Sequence, residues 1–229
     1  MNLLDFLFPK RCVGCKIVGT YFCKDCILEI AQTELVCPFC ERASIGGVVH
    51  PGCKRRFGLD GLWSLGIYQN PLREAIKKLK YKWVKELALD LVNLTLDYWA
   101  RYQPYFFELI KKDQGKNWLI VPVPLHFTRQ NWRGFNQAAL LSKLFAAKMG
   151  LEYQEALKRV RSTKPQVGQL SFDRRQNIKG AFALTGQSIK GVNVLLVDDV
   201  WTTGSTLKEC CYVLKRGGAK QVRAITLAR

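Results

Sequence analysis

Val194-Leu-Leu-Val-Asp-Asp-Val-Trp-Thr-Thr-Gly-Ser-Thr-Leu207, near the end of a 229-residue chain, is the stretch on which the fold reading turns. Val194 to Val197 form a short apolar run suited to a strand buried on both faces, and the run stops at two adjacent carboxylates. Asp198 and Asp199 are thereby placed at a strand's carboxyl end. The hydroxyl-rich turn Thr202-Thr203-Gly204-Ser205-Thr206 then leads into an amphipathic helix with Leu207, Cys210, Cys211 and Leu214 on one side.

Those residue types belong together around a phosphorylated sugar. Backbone N–H groups at a helix N-terminus lack partners and sit at the positive end of the dipole, which favours a phosphate monoester. Gly204 admits close backbone approach. The hydroxyls of Thr202, Thr203, Ser205 and Thr206 can donate to phosphate oxygens, and the two carboxylates can accept from vicinal sugar hydroxyls. A pentose 5-phosphate satisfies both halves. The plainer alternative is a strand-to-helix turn with a Ser or Thr cap, and the acidic pair in front of the turn argues against it. No Lys follows Gly204, which disfavours a nucleoside-triphosphate loop.

With 48% hydrophobic residues the chain can bury one medium core plus a small appendage. Lys and Arg number 36 against 18 Asp and Glu, a formal net charge of +18 that favours polyanions and makes nucleic acid a candidate partner; a solvated lysine surface is the alternative. No apolar run reaches the length of a membrane span: the longest helical stretch, Trp83 to Ile110, carries Lys85, Glu86, Asp90, Asn93 and Asp97. Met1 to Pro9 has no basic flank before its apolar segment, so a cytoplasmic, reducing setting with free thiols is expected.

Seven of the nine cysteines lie in the first 53 residues. They form three C-x-x-C pairs, Cys12/Cys15, Cys23/Cys26 and Cys37/Cys40, and a fourth pair is His50-Pro-Gly-Cys53. Each two-residue knuckle can aim both ligands at one ion, so four knuckles predict two closed, structural zinc sites. Serial pairing puts Cys12, Cys15, Cys23 and Cys26 on one ion and Cys37, Cys40, His50 and Cys53 on the other; interleaved pairing uses the same residues. Disulfides and redox chemistry are disfavoured by the compartment and by the number of pairs.

The texture changes near Gly58, which predicts a zinc-ribbon domain over 1–57 and a larger domain over 58–229. Residues 1–60 carry 8 basic and 6 acidic side chains and the remainder 28 and 12, so the positive charge resides mainly downstream. Leu62 to Tyr68 reads as a strand, Pro71 opens a helix running toward Tyr81, and a second helix follows from about Trp83 to Tyr102 with Leu87, Leu91, Leu94 and Tyr98 facing a core. Lys77, Lys78, Lys80 and Lys82, interleaved with Tyr81, suit single-stranded nucleic acid; a solvated helix is the alternative. Trp118 to Pro124 is an apolar strand, and the loop after it carries Arg129, Arg133 and Gly134 before a helix ending near Met149, an anion receptor appropriate for pyrophosphate. The long basic stretch Lys158 to Asn177 reads as a hood, Gly217-Gly218 as a helix stop, and Val222 to Leu227 as a last strand. Strands alternating with helices predict a mostly parallel, doubly wound α/β sheet. No internal repeat is visible.

V-L-L-V-D-D-V-W-T-T-G-S-T resembles the phosphoribosyl-pyrophosphate signature of type I phosphoribosyltransferases, and V-P-V-P-L-H with R-G-F-N-Q is similar to the hallmark of the ComF family of competence proteins. Arg129, Arg133, Gly134, Phe135, Asn136 and Gln137 match, whereas Phe127, Thr128, Asn131 and Trp132 depart from the family pattern. The resemblance implies that Gln166, Arg174 and Asn177 belong to a flexible loop over the phosphosugar, that Mg²⁺ accompanies the pyrophosphate, and that a double zinc ribbon precedes the transferase domain. It also implies action on single-stranded DNA during its import at the inner membrane, through the DNA-uptake machinery. Transfer of ribose 5-phosphate to a nucleobase or amine is the enzymatic alternative, and a zinc-ribbon adaptor that senses phosphosugar is a third.

Overall fold

In the computed structural model, which describes residues 9–79, 85–112, 117–125, 134–161 and 178–229, the strands in chain order are Gly61–Gly66 (β1), Trp118–Pro122 (β2), Glu152–Tyr153 (β3), Leu157–Arg159 (β4), Phe182–Leu184 (β5), Asn193–Val200 (β6) and Gln221–Ala228 (β7). Five of them form one sheet in the order β1-β7-β6-β2-β3, and every neighbouring pair is parallel. The helices are Lys24–Leu28 (α1), Leu72–Lys78 (α2), Lys85–Tyr102 (α3), Tyr105–Lys111 (α4), Gln137–Met149 (α5) and Ser205–Arg216 (α6). Among the described residues no helix is long and apolar enough to cross a membrane.

A strand buried on both faces must send alternate side chains into two separate cores. Leu195 and Val197 of β6, with Ile225 and Leu227 of β7, enter a core built with α2, α3, α4 and α5 through Ile76, Leu91, Trp99, Phe106 and Phe145. Val194 and Leu196, with Val222 and Ala224, face the opposite core, closed by Leu207, Cys210, Cys211 and Leu214 of α6. The predicted apolar side of α6 is therefore the buried one, and helices cover both faces of a parallel sheet, as a doubly wound fold requires.

Two features differ from the sequence reading and one agrees with it. The strand expected to stop at Val197 continues through both carboxylates to Val200, because Asp198 stays in register with Thr226 and Val200 with Ala228. The helix expected from about Trp83 to Tyr102 does end at Tyr102, as α3, and the rest of the Trp83–Ile110 stretch forms a separate helix, α4, from Tyr105, since Pro104 cannot donate to the preceding turn and disfavours helical geometry at Gln103. The antiparallel pair β4–β5 was not anticipated, and it frames residues 162–177, with Val160 N–H donating to Ala181 O at 2.8 Å.

The cysteine-rich region covers the exposed edge of the sheet. β1 pairs with β7 on one side only, and its other edge is met by Val48 bridging Gly61, Val49 N–H on Asp60 O at 3.0 Å and Ile67 N–H on Ala31 O at 2.9 Å. Val13 and Phe22 pack into one core, and Val36 into the other. The two knuckles Cys12–Cys15 and Cys37–Cys40 repeat one geometry position for position, with bridges Arg11–Val18 and Val36–Ala43 and a left-handed residue at Lys16 and Glu41. Beyond the shared C-x-x-C, this repeat is visible in backbone shape and not in residue identity.

At the seam, Asp60 accepts from Val222 N–H at 2.8 Å and from Lys215 Nζ at 2.7 Å, with both side chains about nine-tenths buried. Removing one partner of a buried pair strands the other charge. Asp60→Ala is expected to lower unfolding free energy by about 3 kcal/mol in urea titrations, against little change for Glu74→Ala, whose pair with Lys77 is solvated.

Candidate functional site

The chain leaves β2 toward β3 on one side and leaves β6 toward β7 on the other, so the connections part between two adjacent strands. In an open parallel sheet that point leaves a crevice at the carboxyl ends of the strands. Asp198 and Asp199 lie on its β6 side. On its β2 side, Asn136 Nδ2 donates to Val123 O at 3.1 Å while its Oδ1 accepts from Ala138 N–H at 3.0 Å, fixing the start of α5. Gln137 then reaches across, with Nε2 donating to Asp199 Oδ2 at 3.3 Å. The R-G-F-N-Q match gives Gln137 no role of its own; its contact joins the start of α5 to the end of β6.

The turn after β6 has the geometry that a phosphate cradle needs. Gly204 is the N-cap of α6 at φ 66°, with no side-chain cap bond. A Cβ at this position would run into the Trp201 ring, so only glycine fits on both counts. Thr203 Oγ1 lies 2.8 Å from Ser205 Oγ and 3.4 Å from Ser205 N. Ordinary Ser/Thr capping thus accounts for at most one N–H, and the first turn keeps donors for a ligand. Thr202 is exposed, and Thr203, Ser205 and Thr206 are half-buried.

Asp198 Oδ1 accepts from Asp199 N–H at 2.9 Å. Burial, reinforced by the neighbouring Asp199 charge, pushes the Asp198 carboxyl well above the usual carboxylate range, and Arg159 offsets this only in part. Arg159 sits at the end of β4, 5.5 Å over the Phe182 ring, where residues 162–177 begin. It is a basic group of the site that sequence spacing did not single out.

Arg129, Arg133, His126, Gln166, Arg174 and Asn177 lie outside the described residues, as do Lys80, Tyr81 and Lys82. Gly134 is described, at φ 72°. Lys77 and Lys78 end α2, where exposed Lys77 pairs with Glu74 at 2.9 Å and Lys78 is half-buried.

The cysteine-rich region brings its ligands together serially. Cys12, Cys15, Cys23 and Cys26 form one group and Cys37, Cys40, His50 and Cys53 the other, with ligand atoms within 4.8 Å of one another in each. Four thiolates around a tetrahedral zinc stand about 3.8 Å apart; Cys12 Sγ and Cys23 Sγ are separated by 3.8 Å, and Cys15 Sγ and Cys23 Sγ by 3.6 Å. His50 Nδ1 lies 3.4 Å from Cys40 Sγ, and its Nε2 is 3.0 Å from Ala43 O, the hydrogen bond that leaves Nδ1 as the ligand atom. Both clusters could hold zinc.

Residues 133–229 match the phosphoribosyl transferase domain family. Over its whole length the chain is 32% identical to Competence protein F of Haemophilus influenzae, covering 99% of that protein. It is 31% identical to the DNA utilization protein YhgH of Salmonella typhimurium, over 90% of this chain and 89% of that one. Competence protein ComFC of Bacillus subtilis is 26% identical over 91% of this chain and 83% of its own.

Holding Asp198 charged at this depth costs stability, and the sign of its pH dependence follows. Below about pH 4 the carboxyl is protonated in both folded and unfolded chains; above that, only the folded state resists ionisation. Asp198→Asn is therefore expected to raise the urea midpoint at neutral pH, with a gain that vanishes as pH falls toward 4.

Proposed function

The chain belongs to the competence protein F family, and on that premise we propose that it binds phosphoribosyl pyrophosphate with Mg²⁺ in the β2/β6 crevice and single-stranded DNA elsewhere on its surface, acting in DNA uptake during natural transformation. The observation that carries this reading is the Gln137–Asp199 hydrogen bond, which ties the first residue of α5 to the acidic pair ahead of the Thr202–Thr206 turn. Asp198 and Asp199 accept from the ribose hydroxyls, and Thr202, Thr203, Gly204, Ser205 and Thr206 hold the 5-phosphate. Arg129, Arg133 and Gly134 receive the pyrophosphate, with Gln166 and Arg174 contributed from the segment framed by β4 and β5. Mg²⁺, when bound, neutralises pyrophosphate charge, and the hard oxygens of the acidic pair suit it directly or through water. Work at the inner membrane goes through the uptake machinery as partner. The two cysteine-rich clusters each hold one structural zinc.

A second reading, transfer of ribose 5-phosphate to a nucleobase or amine acceptor, is favoured by a cavity of about 510 Å³ beside the crevice. Asn136, the N-cap of α5, and Lys143 line it together with Glu155, Leu157 and Arg159. Displacement of pyrophosphate at the anomeric carbon would build positive charge on the sugar ring, which the acidic pair stabilises.

Titration of the Mg²⁺ complex of phosphoribosyl pyrophosphate, and separately of single-stranded DNA, distinguishes these readings. Asp199→Asn is expected to weaken the phosphosugar roughly 10- to 100-fold and to leave DNA affinity unchanged; equal loss of both would mean one shared site. Release of pyrophosphate on adding a nucleobase would establish the enzymatic reading. For the metals, elemental analysis is expected to return two zinc ions per chain, with Cys40→Ser losing the second and Cys15→Ser the first.

A further inference from the structure

Outside the crevice, cations and aromatic rings alternate along a groove between the second cysteine cluster and α6. A cavity of about 360 Å³ opens there, lined by Phe39, Arg55, Arg56, Phe57 and Lys208 among others. Phe39 projects from the tip of its knuckle and is 51% exposed. The Arg55 guanidinium lies 4.7 Å from its ring centroid and is anchored by Nη1 donating to Gly52 O at 3.1 Å and Lys54 O at 2.9 Å. Arg56 stands 5.1 Å from the Phe57 ring, which meets exposed Tyr212 edge-on at 5.5 Å. Lys208, Tyr212 and Arg216 follow one another at four-residue spacing on the outer face of α6, and Arg216 Nη1 donates to Tyr212 Oη at 3.3 Å. Among the described residues, the acidic groups in ion pairs with cations of α6 are Glu41, 3.7 Å from Lys208, and Asp60, which is paired with Lys215. The groove stays positive.

Cations alone would suit any polyanion. Exposed rings held by fixed guanidiniums add faces on which unpaired bases stack, a mode closed to duplex DNA, whose base faces are already covered. An acidic peptide could neutralise the charges but would leave the rings unused. We propose that this groove is the single-stranded DNA site, with Phe39 and Tyr212 as stacking platforms and Arg55, Arg56 and Lys208 as phosphate contacts. The proposal rests on the reading that the chain binds single-stranded DNA, and moves that binding away from residues 77–82. The described part of that segment offers Lys77, already paired with Glu74, and half-buried Lys78.

Fluorescence anisotropy of a labelled oligothymidylate on the full-length, zinc-loaded protein tests it. The double variant Phe39→Ala/Tyr212→Ala is expected to bind at least tenfold more weakly, and Phe39→Trp to bind like the wild type. Arg55→Ala/Arg56→Ala should reduce the slope of log affinity against log salt by about 1.4. Zinc content and phosphoribosyl pyrophosphate affinity should stay unchanged in all of them. Wild-type DNA binding with unaltered groove variants, or its loss in Lys77→Ala/Lys78→Ala alone, overturns this site while leaving the DNA reading intact. Absence of wild-type binding at low salt removes both. A polyglutamate peptide that binds as tightly as the oligonucleotide and is lost in the same variants would overturn the choice of DNA.

Discussion

The parallel ladder between β2 and β6, from the pair Trp118–Asn193 to the pair Pro122–Val197, is the constraint on which the rest depends. Because the chain departs from these strands in opposite directions, their carboxyl ends border a crevice. Each connecting helix must also pack on its own face, α5 against one core and α6 against the other. The first turns of both helices are thereby aimed past the same crevice, and their N–H groups supply positive field to it. A carboxylate pair carried on β6 to the rim of that crevice is costly in the bare protein, as the upward shift of Asp198 shows. Stability is given up there for a polar, acidic surface.

The cysteine-rich region solves a different problem. A parallel sheet has two edges, and β1 would offer a row of unpaired backbone groups to any other strand. Val48, Val49 and Ile67 take part in backbone contacts that occupy this edge, and Val13, Phe22 and Val36 extend the cores on both faces. So few apolar residues cannot fold such a segment alone, and metal ligation can supply what packing lacks. The left-handed Lys16 and Glu41 show the local conformational cost of turning a knuckle tightly around its ligands.

Much of this was legible in the sequence where a physical rule is short-ranged. The β6 run, the C-x-x-C spacings and the apolar stripe of α6 are local patterns, and the structure keeps them. What was missed or left open depends on contacts distant in sequence. Serial rather than interleaved ligand sets are a matter of how the knuckles stack. Asp198 and Val200 remain in the strand because β7 pairs with them, which no local propensity encodes. The three-residue strands β4 and β5 are too short to show a period, and their pairing spans the long basic segment between them. Gln137 meets Asp199 only once the start of α5 lies beside the end of β6.

One helix joins the two surfaces. α6 presents its first turn to the crevice and its outer stripe, Lys208 to Arg216, to the groove, and Trp201 lies between them, beneath Gly204 on one side and 5.0 Å from Lys208 Nζ on the other. Its inner face is locked by Leu207, Cys210, Cys211 and Leu214, all at most 1% exposed, so it behaves as a rigid rod and not as a hinge. Charge can still pass between the surfaces: a phosphate at the first turn would draw Lys208 away from Glu41, while a DNA phosphate at Lys208 would compete for the same cation. Linkage makes any such effect reciprocal, so a phosphosugar that weakens DNA binding must be weakened by DNA to the same degree. With one shared lysine near the surface, and screening over about 10 Å at 0.1 M salt, the coupling should be small at cellular ionic strength and grow as salt is removed.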